Sequence, residues 1–231
     1  MAKKAPSFTV YLASELYALP HLLGNAYLAE AIYDKSHGKY LCLLPQDSEP
    51  DGPRPRAIRD RDIRALLGCD LALFTFDGAE IESATVVEFM LAKFADIPAV
   101  VLRSDLRAAG DGPSPWTLMA SYFPRTVSVV VDGRTAYRSV TKRRGRRPLD
   151  PVTRLAGQHS SADAQRACEE VAGACVRGFE RVQVLEPVMP RHLREAVYGW
   201  LPLVPGLRGK RKELRKEFER CLERKVEMGL L

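Results

Sequence analysis

Short runs of consecutive apolar residues alternate with longer segments of helical period through the first 131 residues. Phe8–Ala13 (FTVYLA), Lys39–Leu44 (KYLCLL), Asp70–Phe76 (DLALFTF), Ile97–Leu102 (IPAVVL) and Thr126–Val131 (TVSVVV) lack the strict apolar–polar alternation of a half-exposed strand. Phe8–Ala13 predicts a buried strand, and the other four predict further strands of the same sheet. Between them, Gly24–Tyr33, Ile58–Leu67 and Thr85–Phe94 place apolar side chains at helical spacing. Strand, helix, strand in this rhythm predicts parallel pairing through right-handed crossovers, and therefore an α/β fold of three layers.

Past Val131 the pattern changes. Lys142–Arg147 (KRRGRR), followed by prolines at 148 and 151, reads as an exposed loop or linker. Ser161–Val182 then carries Ala164, Cys168, Val171, Ala172, Cys175, Phe179 and Val182 at helical spacing. Four prolines between 187 and 205 predict only short helices there, and Lys210–Met228 predicts a highly charged helix with Leu214, Phe218, Cys221, Leu222 and Val226 on one stripe. The expected organisation is an α/β domain over residues 1–140 and a basic, mainly helical extension over 141–231.

Composition adds to this picture through its distribution. The 231 residues are 46% hydrophobic and 28% charged, which is ordinary globular usage, with a net charge of +6. Residues 1–107 hold 12 basic and 15 acidic side chains, whereas the remainder holds 23 and 14, so the whole basic surplus lies in the back half. A chain built to coat nucleic acid would not divide its charge this way, and the KRRGRR run has neither interleaved aromatics nor a reader motif, so no nucleic-acid partner is expected. The five cysteines form no C-x-x-C pair, which argues against disulfide scaffolds and zinc ribbons and suits a reducing compartment. No apolar run approaches a membrane span, and Glu15 interrupts the early apolar stretch before a signal-like core is complete. The expectation is a cytoplasmic protein without a membrane partner.

In an open parallel sheet, ligands bind beyond the carboxyl ends of the strands where strand order reverses. Those ends hold Tyr11 to Ser14, Gln46-Asp47 and Asp77-Gly78. There is no dinucleotide G-x-G-x-x-G, no P-loop and no G-x-S-x-G elbow, and the four histidines are widely separated, so no metal or cofactor is expected. Carboxylates remain. Glu88 stands out because it interrupts the apolar helix TVVEFMLA, on a face shared with Ala84, Ala92 and Ala95. A buried carboxylate is costly unless paired, and such groups concentrate at active sites. A salt-bridged surface glutamate gives the same periodicity, so the pattern by itself leaves both readings open.

Val10-Tyr11-Leu12-Ala13, then Leu44-Pro45-Gln46-Asp47, then Asp62 eight residues before Asp70, then Glu82-x5-Glu88, resembles the nucleoside 2-deoxyribosyltransferases in order and spacing across residues 8–131. The resemblance implies a flavodoxin-like sandwich with a five-stranded parallel sheet. It also implies transfer of a 2-deoxyribosyl group between nucleobases, without a cofactor, through a covalent deoxyribosyl–Glu88 intermediate. By the same resemblance Tyr11 holds the nucleophile, Gln46 and Asp62 meet the base, Asp62 protonates the leaving ring nitrogen, and Glu82 stands at the acid that precedes the nucleophile. The family pattern D-x-G-x-x-x-E is here Glu82-Ser83-Ala84-Thr85-Val86-Val87-Glu88, a longer acid and an added methyl group. The family's sugar-contacting Asn from a neighbouring subunit has no counterpart, because Asn25 is the sole asparagine and lies in another segment; Thr126 falls near the expected place.

Partners implied are deoxynucleosides, free nucleobases and further copies of the chain in a homo-oligomer, a dimer or hexamer, with the Leu214/Phe218/Leu222 stripe as one contact surface. Asp77 is a further sugar-binding candidate, set against a plain Asp-Gly turn. Glu15 can bind a hydroxyl or cap the following helix, and Trp116 and Tyr122 can stack on a base or simply pack. Alternative functions are a deoxynucleoside 5′-monophosphate N-glycosidase, suggested by Arg54, Arg56, Arg59 and Arg61 before Asp62, and a non-catalytic nucleotide-sensing module.

Overall fold

The computed structural model describes residues 7–48, 55–105, 116–143 and 158–231. Five strands, β1 (Phe8–Ala13), β2 (Tyr40–Leu43), β3 (Leu71–Thr75), β4 (Ala99–Arg103) and β5 (Thr126–Val130), form one sheet in the order β2-β1-β3-β4-β5. All four pairings are parallel, with Val10 opposite both Cys42 and Leu71. The fold is the expected α/β class, consistent with a flavodoxin-like sandwich. Strand order reverses between β1 and β3, which opens the crevice at their carboxyl ends.

The apolar runs are explained by two cores separated by the sheet. Val10 and Leu12 point to a core shared with α1 (Leu19–Lys35), where Leu28 and Ile32 are buried. Tyr11 and Ala13, one residue out of phase, point to the core under α2 (Pro55–Gly68) and α3 (Ser83–Phe94). Period-two alternation therefore sends neighbouring apolar residues to opposite layers, and neither face is polar. Helix α1 contains the expected Gly24–Tyr33 segment and begins at Leu19, with proline in its first turn, where a missing N–H costs nothing.

The expected boundary near residue 140 does not separate these cores. Helix α4 (Gly133–Arg143), which periodicity did not reveal, takes in Lys142 and Arg143 of the basic run; residues 144–147 of that run lie outside the described residues. Helix α5 (Gln158–Gln183) lies on α1 and the β4–β5 side of the sheet, and Ala172, Cys175, Phe179 and Val182 complete the first core. Its Gly178 allows that approach: a Cβ there would sit 3.1 Å from Val100 and Val129. The second core is closed by α6 (Arg194–Trp200), α7 (Arg211–Glu227) and the segment between them through Tyr198, Leu201, Leu207, Leu214, Phe218 and Leu222. The Leu214/Phe218/Leu222 stripe, expected as a subunit contact, is thus buried within its own chain. Polar ties fasten α7 as well: Arg224 reaches the fully buried Asp70 at 2.7 and 2.9 Å, and Lys225 donates to the Cys69 carbonyl.

Among the described residues, no helix is long and apolar enough to cross a membrane.

Candidate functional site

Helix α3 owes its orientation to Phe89, whose ring meets Phe74, Phe76 and Phe123 edge-on at 5.3 to 5.5 Å. With Phe89 held on three sides, the preceding position turns toward β1. There Tyr11, 1% exposed, donates its hydroxyl to Glu88 Oε1 at 2.6 Å. The contact joins residues 77 apart in sequence.

Burial pushes the Glu88 carboxyl up to about 7; the Tyr11 hydrogen bond pulls it down, and the charges of Asp62 and Glu82 raise it further. Three acids from α2, the α3 cap and α3 itself therefore share one electrostatic neighbourhood. Tyr11 is held well above the ordinary tyrosine range by burial and then by Glu88, so it remains a donor. A carboxylate poised near neutrality and oriented by one short hydrogen bond can act as a nucleophile or as a base.

The remaining expected residues are placed unequally. Asp62 Oδ1 takes Arg61 Nε at 3.0 Å and Nη2 at 2.7 Å, and Arg61 also reaches the Pro45 carbonyl at 3.4 Å. Glu82 is the N-cap of α3, accepting from the Thr85 amide at 2.7 Å and the Thr85 hydroxyl at 3.1 Å. Burial would raise it, but the amides of Ala84 and Thr85 outweigh that and hold it below the usual glutamate range. Its observed task is to start the helix that carries Glu88. Asp77 spends its carboxylate across the strand ends, accepting from Ser104 N and Oγ at 2.6 Å each and from Asp105 N at 3.0 Å.

Thr126 is not brought to Glu88. It begins β5 at the amino-end edge of the sheet, where its hydroxyl meets Lys93 Nζ at 3.1 Å and the Pro124 carbonyl at 3.2 Å. Trp116 packs edge-on against Phe76 in the core, whereas Tyr122 is exposed at a positive φ of 61°. Glu15 Oε2 lies 3.2 Å from His21 Nδ1.

Two features escaped the sequence reading. Tyr17, 81% exposed on the loop after β1, has its phenol raised first by the charge of Glu82 and also by Glu88 and Glu15, so it stands at the mouth of the acidic group. Its only sequence signal is an aromatic just beyond a strand's carboxyl end. The second is a network around Asn25, which accepts from Ser14 Oγ at 2.7 Å and donates to the Glu15 carbonyl and to Gln46 Oε1, both at 3.3 Å. Gln46 Nε2 in turn donates to the Leu22 carbonyl at 2.9 Å. On this side of the sheet a cleft of about 450 Å³ is lined by Ser14, Glu15, Asn25, Asp77 and Ser104 among others.

The buried thiols are poor nucleophile candidates, because burial pushes Cys42, Cys69 and Cys175 up to about 12. Among the described residues no group of three His, Cys, Asp or Glu is arranged to hold a metal ion.

No protein-family model matches this chain, and no curated protein matches it. Among solved structures, it is similar to a conserved protein from Enterococcus faecalis V583, at 27% identity and a TM-score of 0.42, over 46% of this chain and 69% of that one. It is also similar to a 2-deoxyribosyltransferase from Bacillus psychrosaccharolyticus, at 12% identity and a TM-score of 0.38, over 43% of this chain and 74% of that one. TM-scores this low carry no argument for a shared activity, which has to rest on the side chains themselves.

Proposed function

We propose that this chain is an N-glycosyl transferase of nucleoside 2-deoxyribosyltransferase type, with Glu88 as nucleophile. The observation that carries the reading is the part-buried Tyr11–Glu88 hydrogen bond of 2.6 Å, which aims one carboxylate oxygen and leaves the other for chemistry. In the first step Glu88 attacks the anomeric carbon, the carbon–nitrogen bond breaks, and the base leaves with a proton from Asp62. The product is a deoxyribosyl ester. In the second step a ring nitrogen of an incoming base attacks the same carbon and gives its proton back to Asp62, Glu88 departs as carboxylate, and two inversions give net retention. A deoxy sugar reaches the oxocarbenium-like transition state more easily than a ribose, because no electron-withdrawing 2′-hydroxyl opposes the developing charge.

Each acid has a distinct part. Asp62, paired with Arg61, meets the base together with Gln46. Glu82 acts through the helix it caps. A homo-oligomer belongs to this reading, since Thr126 lies at the sheet edge away from Glu88 and reaches such a site only in a second copy.

Incubating the protein with deoxyinosine and free adenine should yield deoxyadenosine and hypoxanthine, separable by chromatography, and Glu88→Ala should abolish the exchange. Release of hypoxanthine without new nucleoside would make it a hydrolase on the same nucleophile. Nucleoside binding without turnover would favour the sensing module. Absence of exchange and hydrolysis with all common deoxynucleosides and their 5′-monophosphates would refute the catalytic reading.

A further inference from the structure

Asn25 is the sole asparagine of the chain, and it is buried at 8% exposure with its amide oxygen and both amide hydrogens engaged. Both Nδ2 hydrogens go to oxygens, the Glu15 carbonyl and Gln46 Oε1, while Oδ1 accepts from Ser14. Turning this amide over would set Oδ1 against two acceptors, so the network admits one orientation. The same logic passes to Gln46. Its Oε1 faces a donor and its Nε2 faces the Leu22 carbonyl, so a turned Gln46 would oppose donor to donor and acceptor to acceptor. Three segments meet here: the loop after β1, helix α1 and the turn after β2. With these contacts made, the Gln46 amide retains one hydrogen and one lone pair. An amide in that state pairs with the N7 edge of adenine, where the amino group lies beside a ring nitrogen acceptor; the same N7 edge of hypoxanthine offers two acceptors, N7 and O6.

We propose that Asn25 is the positioning residue that fixes the Gln46 amide, and that the pair selects 6-aminopurines over 6-oxopurines as acceptor bases. This rests on the reading above, in which Gln46 meets the base.

The experiment measures kcat and KM for adenine and for hypoxanthine as acceptors, with whichever of thymidine and deoxyguanosine the wild type uses as donor. The wild type should prefer adenine. Asn25→Asp is nearly isosteric but places an acceptor against Gln46 Oε1, so the Gln46 amide turns over. The adenine preference should then shrink about tenfold, mainly through KM, the scale expected for one lost bidentate contact. A mere structural brace would lower the melting temperature and leave the base ranking unchanged, and that outcome overturns the proposal. A wild type that prefers hypoxanthine overturns it too. A wild type that exchanges no deoxynucleoside refutes the functional reading before any variant is made, so the two failures are distinguishable.

A second measurement needs no variant. Protein labelled with ¹⁵N only at asparagine gives one side-chain NH₂ pair, that of Asn25. Adenine bound at Gln46 polarises the Asn25–Gln46 hydrogen bond and should shift this pair. Exchange activity with adenine in a protein whose Asn25 signals do not move on adding adenine would contradict the proposal.

Discussion

Replacing Glu88 with glutamine should stabilise the protein in a way that depends on pH. An acid whose pKa rises from 4.5 to about 7 on folding binds its proton more tightly in the native state. Between those pH values the native state holds a proton that the unfolded chain has released, so stability falls as pH rises through the window. At 1.36 kcal/mol per unit, the loss between pH 5 and pH 8 is about 2 to 3 kcal/mol. Glutamine carries no charge at either pH and still offers an oxygen to the Tyr11 hydroxyl. Urea unfolding of both proteins at pH 5 and pH 8 isolates Glu88 and the groups coupled to it, because every uncoupled titrating group cancels in the difference. The advantage of Glu88→Gln over wild type should be larger at pH 8 by about 2 to 3 kcal/mol, or roughly 5 to 10 °C in melting temperature for a chain of this length. A difference that stays constant from pH 5 to pH 8 would mean that Glu88 is ionised at little cost in the folded protein, and the argument from burial would fail.

Activity should follow the same titration, with a limb near pH 7 below which protonated Glu88 no longer attacks. Tyr11→Phe should move that limb to higher pH, since the hydrogen bond it removes favours the charged carboxylate, and should lower kcat/KM by about tenfold to a hundredfold; a pH–rate series tests both. Glu82→Ala should cost about 1 kcal/mol of stability through loss of the α3 cap, measured by urea unfolding, and should impair turnover far less than Glu88→Ala. Phe218→Ala should destabilise the chain by about 3 to 5 kcal/mol while leaving its oligomeric state in light scattering unchanged, because Phe218 fills its own core.

The inner strands β1, β3 and β4 were legible because each is apolar on both faces, a pattern that only a covered parallel sheet accommodates, whereas the edge strands β2 and β5 leave Leu41, Leu43 and Val130 exposed; Phe8–Ala13 has the same bounds in sequence and structure. Helix α4 was not, because its exposed, basic surface obscures a contact face of little more than Ala136 and Val140. The closing role of α7 was hidden for a related reason. Its charge density reads as a solvated helix, and nothing local shows that Lys225 is buried against the Cys69 carbonyl, 156 residues away in sequence. At the site, Glu88 betrayed itself by breaking an apolar face. The Tyr11 partnership came only through resemblance, since β1 and α3 are joined by topology and not by spacing. Asn25 gave no signal at all, because its partners lie on two other segments, the loop after β1 and the turn after β2.

The closing of the second core by residues 198–222 also constrains how the protein is made. While the chain emerges from the ribosome, β1 to β5 and α3 are complete long before α6 and α7 exist, and until then Leu66, Phe89 and Ala92 lack part of their cover. The strand pairings can form early, but the layer beneath Glu88 is not sealed until Arg224 reaches Asp70. A nascent chain halted near residue 190 would hold the second core open to water at Leu66 and Phe89. The second core should therefore close in one step, once α6 and α7 have both been made.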